Sequence, residues 1–175
     1  MEKNELETQF VELGETRLPL WKDFPDFELY MDQLINLGNR YLKPFQETEI
    51  TAAMVNSYVK KGLMHRPNKK RYNTANVAEL VAISLLKSIY PLDLIKQGLQ
   101  DSLTQTSIEK TYDYFATLFN KTLSEIGQHS FSFDFDLQDK PLLLTEQFAI
   151  HAVIYKIIGE KLIESQIKEK NMNVK

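Results

Sequence analysis

The sequence predicts a mostly α-helical protein, and three observations lead there. Apolar residues return at steps of three and four through most of the 175 residues. Caps and stops bracket these runs, with Thr51 and Asn73 ahead of two of them and Pro44 and Gly62 behind two. The only clear period-2 run is confined to residues 131–137. With 43% hydrophobic residues, a chain of this length can bury a sizeable core as one domain or as a domain with a small appendage.

Residues 1–17 are polar without sustained periodicity and read as a flexible N-terminal arm. Asp26 then offers an N-cap to Phe27, Tyr30, Met31, Leu34, Leu37 and Tyr41, which predict a helix over 27–42 that Pro44 ends. Trp21, Phe24 and Pro25 fold back as a small apolar lid, since aromatics at such spacing belong to a core rather than a ligand box. Thr51 caps a short helix, TAAMVNSYVKKG, with Ala52, Val55, Tyr58 and Val59 on one apolar face and Gly62 at the left-handed stop. The following LMHRPNKKRYN is non-helical, because Pro67 blocks helix continuation and Asn68 favours a turn.

From Asn73 or Thr74 a buried helix carries Val77, Leu80, Val81, Ile83, Leu85 and Leu86 to about Tyr90, and Pro91 opens a further turn or two. Two long amphipathic helices come last. Ile108, Tyr112, Phe115, Phe119, Leu123 and Ile126 line one; Phe148, Ala152, Tyr155, Ile158, Leu162 and Ile163 form the apolar side of the other. They are long enough to pair with each other or to form a homodimer through the C-terminal helices. Between them Phe131, Phe133, Phe135 and Leu137 alternate with polar residues, at most a short β segment. The change from short helices with a basic loop to long amphipathic ones divides the chain into 18–100 and 101–175.

Several function classes are disfavoured. There is no cysteine, which removes disulfide scaffolds and thiolate chemistry and fits a reducing interior. No apolar run approaches the ~18 residues that cross a bilayer, and MEKNELETQF lacks the features of a secretory signal, so a cytoplasmic protein without membrane contact is expected. GxSxG, P-loop, GxGxxG and HExxH motifs are absent, and the three histidines, His65, His129 and His151, are far apart. Asp134, Asp136 and Asp139 invite a metal, yet the glycine and glutamate of a calcium loop are missing. His151, amid apolar residues, reads as a satisfied core or interface histidine. Neither enzyme, cofactor nor metal is expected.

Charge is distributed more tellingly than its sum of -3 suggests. Between Glu49 and Glu79 there is no acid, while Lys60, Lys61, Arg66, Lys69, Lys70 and Arg71 all lie there; the remainder holds 15 basic against 24 acidic residues. A basic element on an acidic body is the footprint of a polyanion-binding surface, with a solvated basic loop as the plain alternative. The outer face of the 51–61 helix adds Ala53, Met54, Asn56 and Ser57, small or polar groups that fit a major groove about 12 Å wide. Asn56 can pair bidentately with adenine, Ala53 or Met54 can touch a thymine methyl, and Ser57 can donate to a base or phosphate. The six cations would hold the phosphate backbone without reading sequence. Double-stranded DNA is the expected partner, and a non-catalytic protein-protein interaction module on the same scaffold is the alternative.

The order of these residues is itself informative. ITAAMVNSYVKKGL, then KKRYN, then LDLI resemble the winged helix-turn-helix of MerR-type transcriptional regulators over about 45 residues. The resemblance implies a groove-binding helix with Ala53, Asn56, Ser57 and Lys60, a backbone-contacting wing with Lys69, Lys70 and Arg71, and C-terminal helices that pair antiparallel in a dimer. The chain departs from that family where Ala53 and Asn56 replace its usual arginines and Ile89 a usual glycine. Taken with LPLWKDFPDFELYMDQL, the stretches TAAMVNSYVKKGLM and KKRY resemble an uncharacterised bacterial family, domain of unknown function 1836, over about 18–165. That likeness implies a fold and little biochemistry.

Overall fold

The computed structural model describes residues 3–128, 130, 135–136 and 138–172. Within them the protein is mostly α, as expected. Its helices are α1 (Lys3–Glu15), α2 (Met31–Leu42), α3 (Ala52–Lys60), α4 (Thr74–Leu86), α5 (Leu92–Gln105), α6 (Ile108–Gly127) and α7 (Pro141–Met172), with a 3-10 turn over Trp21–Asp23. Among the described residues the only β pairing is two isolated bridges, Leu29 with Tyr72 and Asn68 with Arg71. The β segment expected near 131–137 falls largely outside the described residues, as do His129 and Asp134.

Local caps set the boundaries of α3 and α4. Thr51 Oγ1 accepts from Met54 N at 3.3 Å, and Gly62, at φ +69°, closes α3 with Leu63 N donating to Tyr58 O at 2.9 Å. Asn73 and Asn76 cap reciprocally, each side-chain oxygen accepting from the other's backbone N–H at 3.3 and 3.0 Å. The central α4 is buried almost all round, with Val77, Leu80, Val81, Ile83 and Leu85 inside. It packs on α2, α6 and α7, so one apolar core joins residues on both sides of position 100. The aromatic lid packs inward as expected: Phe24 is buried between the rings of Tyr41 and Tyr112, at 5.7 and 5.0 Å.

Four expectations are corrected. The N-terminal arm is a helix, α1, whose Leu13 is buried and whose Gly14 lies against α6. The first predicted helix starts at Met31 rather than 27: Leu29 is held extended by two backbone bonds to Tyr72, 2.7 and 2.8 Å, and Tyr30 rather than Asp26 is the N-cap, its N–H donating to Gln33 Oε1 at 2.9 Å. The segment after Pro91 is a full helix of 14 residues rather than a turn or two, while α4 stops at Leu86. In α7 the buried face is Ala149, Ile150, Val153, Ile154 and Ile157, whereas Phe148, Tyr155 and Ile163 of the predicted apolar side point outward.

That last helix also overturns the reading that no apolar run is long enough to span a bilayer. Over Pro141–Ile167 it is long and apolar enough to cross a bilayer by length and composition alone, with about a third of its most apolar stretch buried in the fold. Its buried side packs against α4 and α6. His151 is buried, its Nδ1 2.7 Å from Gln147 O, which is the satisfied core histidine expected.

Candidate nucleic-acid interface

The geometry of α3 is fixed from both ends. Asn39 of α2 bonds both backbone groups of Ile50, Oδ1 accepting from Ile50 N at 2.7 Å and Nδ2 donating to Ile50 O at 3.2 Å, so the connection enters α3 at a set angle. Val55 and Tyr58 are buried, Met54 and Val59 pack partly on the core, and the outward face consists of Ala52, Ala53, Asn56 and Lys60. Ser57 is half-buried at the margin. Two placements therefore differ from the sequence reading: Ala52 is outward, and Met54 turns inward with Sδ 4.0 Å from Lys87 Nζ. Lys87 is itself half-buried 6.0 Å from the Tyr58 ring centre, and burial pulls its ammonium below the usual lysine range.

The basic loop is a tight hairpin. Asn68 and Arg71 exchange backbone bonds of 3.0 and 2.8 Å, with Lys69 (φ 48°) and Lys70 (φ 65°) between them in the left-handed region. Consecutive positive φ values suit a two-residue turn of the kind that favours Asn-Gly, and β-carbons there cost roughly 1–2 kcal/mol per residue. Two lysines at the tip thus trade backbone ease for exposed charge. Lys60, Lys61, Arg66, Lys69, Lys70 and Arg71 are all exposed, and among the described residues none of them is ion-paired to a carboxylate.

The base of the hairpin rests on α4 through buried polar groups. Glu79 is buried; its Oε2 accepts from His65 N at 3.0 Å and its Oε1 meets His65 Nδ1. Asn76 Nδ2 donates to His65 O at 2.9 Å. Burial pushes the Glu79 carboxyl above the usual range, and the bonds from His65 and Asn76 pull the other way. At the opposite edge Arg71 Nη2 donates to the Tyr30 hydroxyl at 3.0 Å. The sequence reading missed Tyr30, Asn76 and Glu79. The Asn73-x-x-Asn76 spacing is a visible capping signal, and Glu79 marks the end of the acid-free stretch, but nothing local marks Tyr30 as a partner of Arg71.

Both elements meet α4 or its C-terminal end: Met54 and Tyr58 of α3 lie near Lys87, and His65 at the hairpin base bonds Glu79 and Asn76. Outward side chains on α3 are short or polar, and no large apolar side chain of α3 is among the exposed ones. Exposed Phe27 and Tyr30 sit in the segment beside the hairpin.

Comparison with known proteins yields one family. The model of a domain of unknown function, DUF1836, matches residues 19–115, which contain α2 to α5, the hairpin and the start of α6. No curated protein and no solved structure matches.

Proposed function

We propose that this chain, which belongs to the DUF1836 family of unknown function, is a non-catalytic protein that binds double-stranded DNA and regulates transcription in the cytoplasm. In this reading α3 lies in the major groove and the 66–72 hairpin grips the phosphate backbone as the wing of a MerR-like helix-turn-helix. The observation that supports the proposal is the hairpin tip, where Lys69 and Lys70 hold left-handed backbone conformations with their ammonium groups exposed and, among the described residues, in no ion pair. Their charge suits a polyanion, and no packing role explains residues so placed. Asn56 on the outward face supplies the base-reading amide, and Ala52 and Ala53 allow close approach to base edges. Met54, half-buried, has at most a marginal part.

Selection from random duplex DNA at two salt concentrations tests this. Enrichment of a common sequence, with affinity that falls steeply as salt rises, is the expected result. No enrichment and no salt dependence would overturn it.

A protein-contact role is the second reading, favoured by exposed Ile163 and Ile167 on α7. A second copy of the chain is the partner we propose for them, which would give a two-fold reader of paired half-sites. Ile163→Glu with Ile167→Glu should then convert a dimer to a monomer in sedimentation.

A further inference from the structure

Helices α4, α5, α6 and α7 line a partly open cavity of about 400 Å³. Its volume lies in the range of small-molecule sites, and its walls are chiefly apolar, with Leu86, Ile95, Phe115 and Ala149 contributing one surface from each helix. The ionisable lining is one-sided. Glu79, Asp101 and Glu146 contribute carboxylates, and no lysine, arginine or histidine is among the described lining residues.

Polar atoms converge on the wall between α5, α6 and α7. Ser102 Oγ donates to Glu146 Oε1 at 3.1 Å, and Thr111 Oγ1 is buried without a hydrogen-bond partner among the described residues. A hydroxyl left so costs about 1–3 kcal/mol, which a ligand donor or acceptor offsets. We propose that this cavity is a binding site for a small lipophilic amine, whose ammonium pairs with Glu146 and hydrogen-bonds near Thr111 while its hydrocarbon body fills the apolar walls. Charge complementarity selects the cation over an anion or a neutral alcohol of the same shape, because a partly buried carboxylate is stabilised by a partner inside the low-dielectric site. Burial raises the Glu146 carboxyl above the usual range, as expected of an acid that lacks such a partner. Glu79, whose carboxylate holds His65 at the hairpin base, lies on the same wall system, so the site abuts the support of the basic hairpin.

Titration calorimetry of the full chain with 4-phenylbutylamine, 4-phenylbutanol and 4-phenylbutyrate tests the site independently of any DNA activity. The amine should bind about tenfold or more tightly than the alcohol, and the carboxylate should not bind. Glu146→Gln should lose that preference while still binding the alcohol. Gly98→Leu, at a lining position where an added Cβ meets no atom within 4 Å, should weaken all binding without unfolding the helix bundle. Equal affinity for amine and alcohol, no binding of the amine, or full amine affinity in folded Gly98→Leu would each overturn the proposal.

Discussion

The Arg71 guanidinium lies 4.9 Å from the centre of the Tyr30 ring and donates from Nη2 to the same residue's hydroxyl at 3.0 Å. An arginine so held presents its remaining donors outward with less orientational freedom to lose on binding. If the hairpin grips phosphates, Tyr30→Ala should weaken duplex binding about two- to fivefold, the ~0.5–1 kcal/mol that ordering a freed arginine side chain on binding would cost. Tyr30→Phe, which keeps the ring, should lose less. Fluorescence anisotropy on a selected duplex reads both, and an unchanged Tyr30→Ala would remove this contact from the interface.

Backbone gripping and base reading separate by their response to salt. Lys69→Ala with Lys70→Ala and Arg71→Ala should lower affinity for every duplex and reduce the log-log salt slope by up to about 2.7, at about 0.9 per phosphate contact. Asn56→Ala should leave that slope unchanged and relax preference at one base pair by ~1–3 kcal/mol. Wild-type affinity in the triple variant would sink the DNA reading.

Replacing the hairpin tip with residues that its backbone prefers should move stability and binding in opposite directions. Lys70→Gly removes one left-handed β-carbon and Lys69→Asn places at the other position a residue that tolerates that conformation, so the pair should raise the thermal midpoint, by about 1 kcal/mol in stability. Duplex affinity should fall with the lost charges. A fall in both would mean that the lysines support the fold rather than a polyanion.

What could be read along the chain was local. Thr51 and Gly62 bound α3 and Asn73 opens α4 as expected, because a cap or a left-handed stop acts within four residues. Tyr30 looked helical because its spacing fits, yet the pairing of Leu29 with Tyr72, over forty positions away, keeps the backbone extended. The periodicity of α7 misled for another reason: apolar residues occur on several sides, so the pattern did not choose between Ile150, Val153 and Ile154, which are buried, and Phe148 and Tyr155, which are not. At the site, exposed charge was legible as composition, while Glu79 and Asn76 beneath it became visible only once α4 and the hairpin were brought together.

The hairpin support carries its own pH signature. Because burial raises the Glu79 carboxyl, the native state keeps its proton at pH values where the unfolded chain has lost it. Stability therefore falls as pH rises from near the ordinary value of 4.5 through the raised native value. Glu79→Gln should lack that component, so its urea-denaturation stability relative to wild type should improve across the window and level off above it. Glu79→Ala, which strands His65 N–H, should show the same pH trend displaced downward by about 1–3 kcal/mol. A pH-independent difference between wild type and Glu79→Gln would contradict the assigned burial effect.

The docking of α1 depends on two glycines. A Cβ built on Gly14 would stand 2.5 Å from Gly127 Cα, and one on Gly127 2.7 Å from Gly14 Cα, so the backbones of α1 and α6 touch where any side chain would part them. On the same interface Leu13 is buried and Phe10 packs against the core. Gly127→Ala should therefore separate the helices or strain α6, costing about 1–3 kcal/mol despite the better helix propensity of alanine. Gly159→Ala is the control, since a Cβ there meets no atom within 4 Å and the same change on α7 should be neutral or slightly stabilising. Urea denaturation measures the cost, and limited proteolysis reports whether α1 has come away. Equal stability of the two variants would show that α1 is not held by the Gly14–Gly127 approach.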